Sequence, residues 1–132
     1  MKITIIDGQG GMLGSALVRE ISAKLPDATI TAIGTNSAAT AAMLKAGATR
    51  AATGENPVVV ACRDTDFILG PIGIVIADSL LGEITPVMAA AIGASNAKRI
   101  LIPMNKCDTV VAGVSTASTS ELISDAILAI TK

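Results

Sequence analysis

With 132 residues, 51% of them hydrophobic and only 16% charged, the chain is sized for one domain and has too little polar surface to cover a lone small sphere, which points to an oligomer with an apolar interface. A net charge of −1 and a single aromatic residue, Phe67, exclude the basic footprint and the stacking platforms of a nucleic-acid binder. The lack of histidine and tyrosine excludes a serine-histidine-aspartate triad and a histidine-bound metal.

The first predicted element is a strand over Ile3 to Ile6, β-branched and apolar on both faces, hence central in its sheet. This apolar run stops at Asp7, too short for a secretory leader, so the expected compartment is the cytoplasm, with Cys62 and Cys107 as reduced thiols. Leu13, Leu17 and Ile21, with Val18 and Leu25 beside them, recur at helical spacing opposite Arg19, Glu20 and Lys24, and Pro26 ends that helix. Thr29 to Ile33 reads as a second strand, after which Asn36 or Ser37 caps an alanine-rich helix that Gly47 terminates. A third strand is expected over Thr49 to Ala52. The pair Asn56-Pro57, a cap followed by a first-turn proline, predicts a helix over Val58 to Arg63 against its β-branched composition.

Asp66 to Leu69 is the fourth predicted strand. The apolar stretch that follows, PIGIVIADSLLGEITPVMAAAIGA, is interrupted by Asp78, Glu83 and Pro86, so it contains no uninterrupted run of about 18 apolar residues and is not read as a membrane span. Thr85-Pro86 divides it into two buried helices. Arg99 to Ile102 is the fifth strand, Thr109 to Val114 a candidate sixth. Ser118 and Glu121 form a capping box for a last helix whose Leu122, Ile123, Ala126, Ile127 and Ile130 face the core. Strands alternating with helices over short linkers predict one domain over residues 1–132, an α/β, three-layer Rossmann-like fold with a mostly parallel sheet of five or six strands. Ile72 to Ala94 carries more apolar surface than one sheet face can cover, and Met88, Leu81 and Ile84 are the expected anchors of a homodimer interface.

In such a sheet a ligand sits at the carboxyl ends of the strands, near the point where strand order reverses. Gly8, Gln9, Gly10, Gly11, Met12, Leu13 and Gly14 occupy that place after the first strand. DGQGGMLG resembles the T-G-x-x-G-x-x-G opening of the extended short-chain dehydrogenases/reductases, with Gly8, Gly11 and Gly14 on its glycines. The resemblance implies a dinucleotide whose phosphate meets the loop, Gly11 marking the point of closest backbone approach. Asp7 stands where that family has threonine, and its carboxylate is suited to capping the loop amides. After the second strand the chain reads Gly34, Thr35, Asn36, Ser37, with no acid to hold ribose hydroxyls. Neutral donors at a helix start suit a 2′-phosphate, so NADP fits better than NAD. Gly70, Pro71, Ile72 and Gly73 let the chain pass close to the second half of a dinucleotide, and Pro103 and Asn105 lie at the same end of the sheet. Ordinary turns and caps explain these glycines and donors equally well in isolation.

The missing tyrosine also removes the tyrosine-lysine dyad of the dehydrogenases. Catalytic candidates are reduced to Cys107, a nucleophile if a neighbouring cation lowers its pKa, and Lys106 beside it. Asp78 and Glu83, carboxylates in an apolar stretch, need a cap, a partner across a dimer or the site itself. The segments GTNSAATAAMLKAGA, ATGENP, GPIGIVIADSLLGEITPVMAAAIGAS and ILIPMNKC resemble those of a family of short, uncharacterised bacterial Rossmann-like proteins, a domain of unknown function, over nearly the full length. That resemblance implies a stand-alone Rossmann-like protein and assigns no reaction. Three readings stay open: a small nucleotide-binding sensor or accessory subunit, an enzyme acting through Cys107, Lys106 or a carboxylate near the glycine loop, and an interaction module whose glycine turn is empty.

Overall fold

The computed structural model describes residues 1–104, 108–114 and 117–132. The chain alternates strand and helix: β1 (Lys2–Asp7), α1 (Met12–Lys24), β2 (Thr29–Gly34), α2 (Ser37–Lys45), β3 (Arg50–Thr53), α3 (Glu55–Ala61), β4 (Phe67–Pro71), α4 (Pro86–Ala94), β5 (Lys98–Ile102) and α5 (Thr119–Thr131). The five strands pair in parallel in the order β3-β2-β1-β4-β5. Thus β1 lies between β2 and β4, the central position that its apolar composition requires.

Alternation of side chains along each strand divides the core into two layers. Ile3, Ile5, Ala32 and Leu69 point to one face, where Leu17, Val18 and Ile21 of α1, Met43 of α2 and Ile123, Ile127 and Ile130 of α5 pack on them. Ile6, Ile33 and Ile68 point to the other, under Val58 of α3 and Met88 and Ile92 of α4. The result is a three-layer α/β domain.

Several local signals act as their residue types demand. Asn36 accepts the Ala39 amide at 2.9 Å and starts α2; Thr85 accepts the Met88 amide at 3.1 Å and starts α4 with Pro86 in its first turn. Ser118 and Glu121 form the capping box of α5.

Three elements differ from the sequence reading. The helix expected at Val58 to Arg63 begins earlier, at Glu55, because Gly54 with φ 108° turns the chain directly off β3. Asn56 is then inside the helix rather than its cap. The apolar stretch forms one α-helix, not two: Ile72–Val75 is a single 3₁₀ turn, and Asp78, Leu80, Leu81 and Gly82 take left-handed φ of 65°, 56°, 56° and 87°, which no continuous right-handed helix accommodates. No sixth strand lies among the described residues of 109–114; Val110 is 87% exposed and the segment closes a turn through the Val114 amide and Val111 carbonyl. A strand there needs an edge to pair with, and the chain instead crosses to α5.

Candidate functional site

The strand order reverses between β1 and β4, and the glycine turn leaves β1 at that place. A pocket of about 140 Å³ opens there, lined by Asp7, Gly8, Gln9, Met12, Leu13, Pro71, Leu80 and Met104. A crevice at the carboxyl ends of parallel strands beside a switch in strand order is the general ligand position of open α/β sheets.

Asp7, the last residue of β1, is buried and turns back into the loop. Its Oδ1 accepts the Gly8 amide at 2.8 Å and its Oδ2 the Gly14 amide at 2.7 Å. Burial pushes the Asp7 pKa above its ordinary value, the two amide bonds oppose that rise, and the charge of Glu83 adds to it. Asp7 therefore ties strand to helix as an internal cap. The amides of Gly10, Met12 and Leu13 donate to no acceptor among the described residues; those of Met12 and Leu13 form the open part of the α1 N-terminus, and Gly10 lies in the turn before it.

The glycines divide by purpose. A Cβ on Gly11 would lie 2.8 Å from the Ala39 Cα, and one on Gly14 would lie 2.5 Å from the Met43 sulfur and 2.8 Å from the Asp7 Cβ. These two allow α1 to approach α2 and β1, and the φ of 72° at Gly11 adds a backbone reason for glycine there. Gly34 likewise clears the Thr40 backbone of α2, and Gly70 clears the Ile6 carbonyl of the adjacent strand. Gly8 is different. Its missing side chain leaves room for the Thr35 hydroxyl and the Glu83 carboxylate, 2.5 and 2.6 Å from where a Cβ would stand.

Glu83, expected only to need a cap, a partner across a dimer or the site, stands outside the expected binding set yet lies at its centre. Its Oε1 accepts the Gln9 amide at 2.8 Å, the Thr35 hydroxyl at 2.5 Å and the Asn36 side-chain amide at 3.0 Å. Asn36 also donates to the Gln9 carbonyl at 2.9 Å, linking the ends of β1 and β2. Burial works to raise the Glu83 pKa, but the bonds from Gln9, Thr35 and Asn36 outweigh it and hold the carboxyl below its ordinary value. A carboxylate amid apolar neighbours was a visible signal of a partner in this part of the fold. Asp78, the other such carboxylate, is exposed.

The remaining expected positions scatter around this centre. Gly10, Met12 and Ser37 are exposed at the mouths of the turns. Gly70 and Pro71 belong to β4 and Ile72 and Gly73 to the 3₁₀ turn after it, where only Pro71 reaches the pocket. Pro103 is half-buried beyond β5, while Asn105, Lys106 and Cys107 lie outside the described residues. Leu80 and Met104, absent from the sequence-derived set, add apolar wall. The expected dimer anchors Met88 and Ile84 are 3% and 0% exposed within this chain's own core, so they are unavailable to a partner; Leu81, at 95%, is fully presented. Among the described residues no helix is long and apolar enough to cross a membrane, and no group of three metal-ligating side chains gathers.

Fold and site together define a Rossmann-like α/β protein with a glycine-rich turn at its strand-order switch. The chain belongs to the family described as Domain of unknown function (DUF3842), whose model matches residues 2–132. Among solved structures it is similar to a dodecameric FMN-dependent UbiX-like decarboxylase from Escherichia coli O157:H7, with a TM-score of 0.48 and 17% sequence identity over 99% of this chain and 75% of that one. No curated protein matches the chain significantly.

Proposed function

We propose that this protein is a small cytoplasmic nucleotide-binding protein that acts as a sensor or accessory subunit. The observation that carries the reading is the pocket beside β1 and β4, lined by Met12 and Leu13, whose amides donate to no acceptor among the described residues, and by the apolar side chains of Leu13, Leu80 and Met104. Backbone amides at a helix start favour a phosphate, and an apolar wall favours a base or ring system. The preference for NADP rests on Thr35, Asn36 and Ser37 as a 2′-phosphate site, of which Thr35 and Asn36 carry the donors nearest the glycine turn. Both donate to Glu83 here, so the reading extends to nucleotides generally. Self-association through α4 is part of the same proposal, supported by an outer face with no charged residue, on which Val87 is 51% exposed.

The test is a thermal-shift and calorimetric titration of the purified protein with NADP, NAD, FMN and AMP. At least one is expected to raise Tm in proportion to ligand concentration, as mass action requires. No shift and no heat with all four at millimolar concentration overturns the reading and leaves the interaction module.

A further inference from the structure

The three donors that meet Glu83 come from two separate turns: the Gln9 amide after β1, and the Thr35 hydroxyl and Asn36 amide after β2. All converge on one oxygen, Oε1. Neutral donors converging on one negative oxygen make an oxyanion cradle. The group that fills it is carried by the loop between the 3₁₀ turn and α4. That loop is pinned at its base, where Asp78 donates to the Ile84 carbonyl at 2.7 Å, Ile84 donates to the Ser79 carbonyl at 3.2 Å, and Ile84 is buried. Its tip, residues 80–83, has different properties. Leu80, Leu81 and Gly82 are consecutively left-handed, Leu81 is almost wholly in solvent, and nothing lies within 4 Å of a Cβ built on Gly82. Leu80 forms a wall of the β1–β4 pocket while its neighbour Glu83 fills the cradle.

We propose that Glu83 is a tethered stand-in for the anionic group of the ligand, a phosphate oxygen that competes with the Glu83 carboxylate for Gln9, Thr35 and Asn36, and that its entry displaces the 80–83 tip. This rests on the nucleotide reading of the same site and deepens it. The pocket of about 140 Å³ is well below the roughly 300–1,000 Å³ of typical small-molecule sites. Withdrawing Leu80 and Glu83 together removes one wall and frees the cradle, so ligand entry and tip displacement are one event. The left-handed leucines make that conformation costly to hold; the Gly82 amide donates back to the Asp78 and Ser79 carbonyls and the Glu83 amide to the Leu80 carbonyl, and the three bonds to the Glu83 carboxylate are what tie this tip to the turns after β1 and β2. An anion that takes those bonds removes the restraint. Apparent affinity is therefore reduced by the small fraction of molecules with the tip open.

The experiment compares wild type with Glu83→Ala, using inorganic phosphate as probe and following binding by calorimetry and by hydrogen exchange of residues 78–84. The variant is expected to bind phosphate about tenfold more tightly or better, the gain corresponding to a competent fraction of roughly a tenth or less in the wild type. Thr35→Val in the Glu83→Ala background should erase most of the gain. In the wild type, saturating phosphate should speed exchange at Gly82 and Glu83. Should Glu83→Ala fail to fold, Glu83→Gln keeps a neutral acceptor for Gln9 and is expected to change affinity in the same direction by less. Equal phosphate affinity in wild type and variant overturns the proposal. If the wild type nonetheless binds a nucleotide, the site stands and only the displaced tip is wrong; if neither protein binds phosphate or nucleotide, both fall. A variant that gains phosphate affinity but binds no nucleotide supports the cradle and overturns the nucleotide reading.

Discussion

The Asp7 carboxylate accepts the Gly14 amide at 2.7 Å, so the last residue of the central strand caps the helix that follows it, through the turn expected to meet a ligand. Removing the carboxylate strands two amides, those of Gly8 and Gly14. Asp7→Ala is expected to cost about 1 kcal/mol at neutral pH, the usual loss for a helix cap replaced by alanine. Urea melts of the two proteins measure it, and an unchanged midpoint would mean that the cap contributes nothing.

Asp7 and Glu83 are expected to respond to pH in opposite senses. Burial, the largest influence on Asp7, raises its folded pKa above 3.8 despite the opposing amides. Its contribution to stability is therefore fully present below the unfolded value and declines as pH rises through the folded one. The Asp7→Ala penalty should be greater near pH 3 than at pH 7. Burial also acts to raise Glu83, but its three hydrogen bonds prevail and the folded pKa falls below 4.5. That contribution is present above the unfolded value and lost as pH drops through the folded one. Glu83→Gln should accordingly cost stability at pH 7 and progressively less in acid. Penalties that move in the same direction for both variants would contradict the assignment.

Two glycines offer a contrast in packing. Gly11→Ala places a Cβ 2.8 Å from the backbone of Ala39 at a φ of 72°, and a loss of about 3 kcal/mol is expected from combined overpacking and backbone strain. Gly93, within α4, has nothing within 4 Å of a Cβ. Gly93→Ala should instead stabilise by up to about 1 kcal/mol, since alanine loses less conformational freedom in a helix. Thermal melts of both variants decide this, and equal effects would show that the close approach of α1 and α2 is not what Gly11 provides.

Self-association is tested on α4, where Met88 points inward and Ala90 outward. Ala90→Glu should leave the fold intact and dissociate any dimer built on that face, because an interface that buried the new carboxylate would hold it without a partner. Met88→Glu should unfold the chain instead, by burying a charge in its own core. Light scattering with circular dichroism reads both outcomes; a folded monomer in the wild type at micromolar concentration removes the dimer from the proposal.

Much of the fold was legible because its signals are local. Ile3 to Ile6 had to be a central strand whatever packed on it, and the caps at Asn36, Thr85 and Ser118 act on amides three residues ahead of them. The glycine turn declared its position at the end of β1 for the same reason. Local signals failed where a residue's conformation answers to distant contacts. The excess of apolar surface over Ile72 to Ala94 made Ile84 and Met88 expected surface anchors, whereas packing under β1, β2 and β4 turned both inward and left Leu81 outside. The left-handed run from Leu80 to Gly82 breaks what composition reads as helix.

By itself the sequence determined a parallel α/β domain with a glycine-rich turn on its central strand, since strand burial, helix periodicity and capping depend on neighbours a few residues away. Tertiary structure alone decided what meets that turn. Gln9 and Glu83 stand 74 residues apart, and only the layering of α3 and α4 on one face of the sheet carries the loop before α4 back to the ends of β1 and β2. A hydrogen bond between such distant groups leaves no periodicity in the chain, because its geometry is set by the packing of every element between them.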